Sequence, residues 1–81
     1  MDMDVVGTFV NYCIVFDATL KWRLNNTLLY QTYMRWCSKN NERIQSQKWL
    51  TMRMSEKGFK RLLTNGERVW LGLILKNEWQ T

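Results

Sequence analysis

Apolar side chains recur every three or four positions at Leu29, Tyr30, Tyr33, Trp36 and Cys37, with Gln31, Arg35 and Lys39 off the stripe. That spacing predicts a helix from residue 27 to about residue 39, with one wide face in a core. Asn25-Asn26 offers its N-cap, and Asn40-Asn41 its stop, because Asn tolerates the left-handed backbone that ends helices. A further helix is predicted over residues 47–57 behind Ser46 as cap. Leu50 and Met54 form its buried face, flanked by Trp49 and Arg53, while Gly58 ends it and Phe59 makes the closing contact. At about 100° per residue, the face opposite Leu50 and Met54 is Lys48, Thr51, Met52 and Ser55, with Gln47 between the two faces.

Residues 5–16 carry two signals. Their Val, Ile and Phe content favours strand, yet Phe9, Val10, Cys13 and Ile14 are spaced as one helix face. Asp4 as N-cap and Asp2 at the positive end of the helix dipole point to a helix ending near Val15. Lys21-Trp22-Arg23-Leu24 alternates basic and apolar residues, as a short half-buried strand does. Asn65-Gly66 between two strand-like runs predicts a two-residue type I′ hairpin. Its register sets Thr64 opposite Glu67, Leu63 opposite Arg68, Leu62 opposite Val69, Arg61 opposite Trp70 and Lys60 opposite Leu71. Simple alternation then puts Leu62, Val69, Leu71, Leu73 and Leu75 on the core face. Arg61, Leu63, Arg68, Trp70 and Ile74 fall on the other, with Arg61 stacked on an exposed Trp70.

The predicted order is helix, short strand, helix, turn, helix, hairpin. This is an α+β winged helix, a helix-turn-helix unit followed by a two-stranded wing, and residues 1–81 are expected to form one such domain. The helix after the turn stands in the recognition position, and its small polar face suits the major groove.

Length and composition narrow the chemistry. Eighty-one residues bury one core and leave no room for a deep substrate cavity. There is no His, and the two cysteines, Cys13 and Cys37, are too few for a four-thiolate zinc site. Carboxylates are few and dispersed, so no acid–base pair or activated nucleophile is expected, and neither metal nor cofactor is assigned. Both thiols sit on apolar helical faces, as buried structural cysteines do. No stretch has the roughly 20 apolar residues that span a bilayer, no signal peptide is recognisable, and a cytoplasmic location is expected.

Net charge is +5 and uneven. Residues 1–17 hold three aspartates and no base, whereas residues 18–81 hold all twelve bases against four glutamates, giving +8. A basic body of this kind is the footprint of a polyanion binder.

Leu29-Tyr30-x-x-Tyr33-x-x-Trp36-Cys37-x-x-Asn40, then Ser46, then Gly58-Phe59, then Arg68-x-Trp70-x-Gly72-Leu73-x-Leu75 together form a spaced pattern. It resembles the C-terminal winged-helix domain of phage, plasmid and pathogenicity-island primase-helicase proteins, to which a poxvirus primase-helicase domain is related. The resemblance runs from about Asp4 to Leu75. It implies a DNA-binding accessory domain of a replication protein, acting at or near an origin, with primase and helicase activities outside this chain. Asn41 stands where the family usually has Gly, and Leu71 where it often has a basic or polar residue, which implies a less charged wing.

The residues expected at DNA are Ser46, Gln47, Lys48, Thr51 and Ser55 on the recognition helix, Arg43 ahead of it, and Lys60, Arg61 and Arg68 on the wing. Phosphate contacts would supply affinity and the helix face sequence preference. The expected partner is double-stranded DNA, with other domains or subunits of a replicative helicase as further partners, and no membrane or small-molecule substrate. The alternative is a protein-docking module using exposed Met52 and Trp70. A third reading is single-stranded DNA stacked on Trp70.

Overall fold

A computed structural model describes residues 4–80. Asp2, expected at the first helix dipole, lies outside the described residues. The first helix, α1 (Val5–Cys13), starts where Asp4 accepts the N–H of Gly7 at 3.0 Å. It ends two residues before the expected Val15. The β-branched and aromatic run that follows forms a strand instead, β1 (Ile14–Phe16). β2 (Arg23–Asn25) leads directly into α2 (Asn26–Lys39), whose N-cap Asn25 accepts the N–H groups of Thr27 and Leu28. The expected strand at Lys21 begins two residues later, leaving Trp22 exposed ahead of it.

Asn41 takes a φ of 55° beyond α2, the left-handed stop its residue type favours. The turn to α3 (Gln47–Glu56) is tied back to α2 by two phenols. Tyr30 Oη donates to Gln45 O at 2.8 Å, and Tyr33 Oη accepts the Gln45 N–H at 3.2 Å. Ser46 Oγ caps α3 by accepting the Trp49 N–H at 3.1 Å. At the far end Gly58 (φ 94°) and Phe59 donate to the carbonyls of Ser55 and Met54, the paired bonds of a Schellman cap, and Phe59 packs on the core.

β3 (Arg61–Thr64) and β4 (Glu67–Leu71) form the wing in the expected register. Asn65 (φ 50°) and Gly66 (φ 78°) give its tip the two positive dihedrals of a type I′ turn. A separate strand, β5 (Leu73–Leu75), then leaves the wing, followed by a 3₁₀ turn, Asn77–Trp79. One antiparallel sheet has the order β2-β4-β3; the other pairs β1 with β5, Ile14 opposite Leu75 and Phe16 opposite Leu73. The architecture is α+β with a winged-helix-like order. Phe9, Tyr33, Trp36, Leu50, Met54, Trp70 and Leu73 meet in the core, with both cysteines. No helix among the described residues is long and apolar enough to cross a membrane.

The wing faces correct the alternation expected from sequence. Trp70 is fully buried, not exposed, whereas Leu62 is 40% exposed rather than in the core. Leu73 and Leu75 do face inward, as expected. Gly72, whose φ of 74° interrupts the pleat, lets Trp70 before it and Leu73 and Leu75 after it all face inward. Trp70, Arg61 and Arg68 therefore share the inner face; on the opposite face Leu62 is exposed while Val69 across from it is buried, as expected. With its indole enclosed, Trp70 is unavailable as a stacking platform for single-stranded DNA or as a docking contact.

Gly72 also pins the loop before β2. Its N–H donates to Trp22 O at 2.7 Å and its carbonyl accepts the Asp17 N–H at 2.6 Å. A Cβ there would stand 2.6 Å from Asp17 O and 2.7 Å from Leu20 Cδ2. Gly72→Ala combines a left-handed penalty with this clash and is expected to cost about 3 kcal/mol or more. Gly66→Ala meets nothing within 4 Å and is expected to cost about 1 kcal/mol, from its φ alone. Urea unfolding of the two variants checks the difference; equal losses would remove Gly72 as the pivot.

Candidate nucleic-acid interface

Two grooves flank α3, and charge pairing distinguishes them. The first, about 960 Å³, lies between α3, the wing and the first turn of α2. Gln47, Lys48, Thr51, Met52 and Ser55 form one wall, Gly66, Glu67, Arg61 and Arg68 the other, and Asn25, Asn26 and Thr27 one end. The second, about 850 Å³, runs along the opposite flank of α3 and includes Asp4, Glu42, Arg43, Trp49, Arg53, Glu56 and Lys57. There Arg53 Nη1 bonds Glu56 Oε2 at 3.0 Å and lies over the Trp49 ring, and Lys57 pairs with Asp4. In the first groove, none of Lys48, Arg61 and Arg68 joins an ion pair among the described residues. Three cations outside any ion pair stand there against one carboxylate, so this groove carries the net positive charge.

Each wall is set by a local rule. On α3, burial of Leu50 and Met54 turns Lys48, Thr51, Met52 and Ser55 outward. On the wing, the phase that buries Trp70 aims Arg61 and Arg68 at α3. Arg61 Cζ lies 5.7 Å from the Trp70 ring centroid, a cation–π contact that sets the guanidinium plane near the ring and leaves its edge N–H groups to reach a phosphate. Trp70 Nε1 in turn donates to Asn26 Oδ1 at 2.7 Å. A continuous chain of contacts thus joins the start of α2 to the rim of the wing. Asn25 Nδ2 reaches Glu67 Oε2 at 3.4 Å, drawing that carboxylate toward the groove end.

Six of the nine residues expected from sequence meet here: Gln47, Lys48, Thr51, Ser55, Arg61 and Arg68. Ser46 does not line the groove; its hydroxyl caps α3. Arg43 lines the second groove. Lys60 lines neither, and its carbonyl accepts the Leu71 N–H. Sequence reasoning missed Asn25, Asn26 and Thr27 as a groove end. The available signal was a second Asn beside the cap, and a tryptophan whose N–H would need an acceptor once buried.

Burial pushes the Cys13 thiol up to about 12, raises Cys37, and pushes the Tyr33 phenol up to about 12. Asp4 is held below the usual carboxylate range, first by Lys57 and then by the Gly7 N–H. Thr19 does the same for Asp17 through its hydroxyl and N–H.

A family model described as Poxvirus D5 protein-like matches residues 1–79, a span that includes both walls of the groove. No curated protein and no solved structure matches the chain.

Two predictions follow from these titrations. Cys13 and Cys37 are expected to resist iodoacetamide at pH 8 until urea unfolds the chain, as read by mass spectrometry; rapid labelling of the folded protein would contradict their buried thiol state. The folded pKa of Asp4 lies below its unfolded value of about 3.9, so its stabilisation is complete above that value and is lost as pH falls through the folded pKa. Asp4→Asn keeps a capping side chain and, with both partners solvent-accessible, should cost less than about 1 kcal/mol at pH 7. Urea midpoints of parent and variant should converge as pH falls below the folded pKa of Asp4; a constant gap would assign the effect to something other than charge.

Proposed function

We propose, from the premise that this chain belongs to the poxvirus D5 protein-like family, that it is an accessory domain that binds duplex DNA. Membership makes it a domain of a primase-helicase-type replication protein, in agreement with the resemblance read from the spaced aromatics and glycines. The observation that carries the DNA reading is the first groove, where the polar face of α3 and three unpaired cations converge. α3 enters the major groove, with Gln47, Lys48, Thr51 and Ser55 toward base edges and phosphates. The wing lies along the adjoining backbone, held there by Arg61 and Arg68. Arg43 and Lys60, outside the groove, add long-range attraction through net charge. The chain acts as a single winged-helix domain, in the cytoplasm and near a replication origin, and the parent protein's catalysis lies outside it.

The second reading is a docking surface for a replication partner. It is favoured by the apolar side chains exposed away from the groove, Leu62 at 40% and Phe16 at 52%, the latter beside Phe59. The two readings use different faces.

Titration against duplex, single-stranded and random-sequence DNA at several salt concentrations separates them. With Lys48, Arg61 and Arg68 each neutralising one phosphate, log K should fall against log salt with a slope of about −3. Arg61→Ala and Arg68→Ala should each lower the slope magnitude by about 1 and weaken all sequences alike. Thr51→Ala or Ser55→Ala should change preference between sequences by about 1 kcal/mol or more at the base pair contacted. Absence of binding at low salt would overturn the DNA reading and favour docking.

A further inference from the structure

Leu63 is 67% exposed, the most exposed large apolar side chain among the described residues. Two other exposed apolar groups have apolar neighbours: Leu62 faces Val69 across the wing, and the Phe16 and Phe59 ring centroids lie 5.8 Å apart. Leu63 faces Arg68 and shares its strand face with Arg61, two residues away. The inner face of the wing therefore presents a triangle of two cations and one leucine. An apolar side chain there suits neither open solvent nor an ordinary apolar partner, which would have to desolvate both guanidinium groups.

Resting on the duplex-DNA reading above, we propose that Leu63 is a wedge that enters a base step, and that the preferred ligand is duplex DNA with weakened stacking, above all a fork junction. Arg61 and Arg68 occupy diagonal positions on the two strands, about 7–8 Å apart at Cα. Leu63 stands at the corner of that triangle, directly across from Arg68 and two residues along the strand from Arg61, so phosphates held by the two arginines bring the neighbouring base step to the leucine. An apolar side chain pressed into a step partly unstacks it, and the cost is least where stacking is already broken or flexible. The wing is stiff enough for this: its tip is a tight type I′ turn, and Arg61 is stacked on an indole that belongs to the core.

The test uses the whole chain, with Leu63→Ala and Leu63→Gln. At 67% exposure both should keep the parent circular dichroism and urea midpoint. The DNA probes are one sequence as an intact duplex and as a fork, each with 2-aminopurine placed in turn at successive steps. The parent should bind the fork about tenfold tighter than the duplex and raise 2-aminopurine emission at one step. Both variants should lose that emission and bring the fork-to-duplex ratio close to one, with the salt slope unchanged because no phosphate contact is removed. Equal ratios and equal emission for parent and variants, with the salt slope intact, would overturn the wedge and leave the DNA reading standing. No binding to any probe at low salt would overturn both.

Discussion

The left-handed backbone at Gly72 is the constraint on which both sheets depend. Its N–H and carbonyl hold the two ends of the loop between β1 and β2, and the space where a Cβ would stand is filled by Asp17 and Leu20. Because the pleat is interrupted there, one continuous apolar run serves two sheets. Val69, Trp70 and Leu71 pair with β2, and Leu73 to Leu75 pair with β1. Without that shift in phase, either Trp70 or the pair Leu73 and Leu75 would face solvent. Leu20 accepts a φ of 59° in the same turn, an unusual conformation for a branched apolar residue. Asp17 offsets some of that strain by accepting from Thr19 twice, through its N–H and its hydroxyl.

The proposed interface inherits its geometry from this core. Turning Trp70 inward gives its N–H to Asn26 and its face to Arg61, so a wing arginine, the core and the start of α2 form one connected unit. Elsewhere on the surface, cations are used for packing: Arg35 and Lys39 lie over Trp79, and Arg53 over Trp49. The contrast between those charges and Lys48 and Arg68, which enter neither an ion pair nor a cation–π contact among the described residues, carries more information than a net charge of +5.

What could be read from sequence follows from the range of the determinant. Caps at Asn25, Ser46 and Gly58 and the Asn65-Gly66 turn are specified within about four residues, and the structure has each of them. The α3 face could be read as well, because helical periodicity needs only the buried positions Leu50 and Met54. β1 could not, since its identity comes from Leu73 to Leu75, nearly sixty residues away, and its local spacing fits a helix equally well. The burial of Trp70 escaped the sequence for a related reason: period-two alternation carries no mark of a backbone dihedral at Gly72. For the groove, its two walls were legible and its end at Asn25 to Thr27 was not, because that end depends on a side-chain contact between distant elements.

The pairing of β1 with β5 has a kinetic meaning. Phe16 opposite Leu73 closes a loop of nearly sixty residues, whose ordering entropy is of the order of 3–4 kcal/mol. The α2–α3 turn and the wing hairpin are local and form against a far smaller entropic barrier. The groove walls come mainly from these local elements, whereas the strand that follows α1 needs the most distant strand pairing in the fold. The groove and the small sheet thus carry very different loop-closure costs.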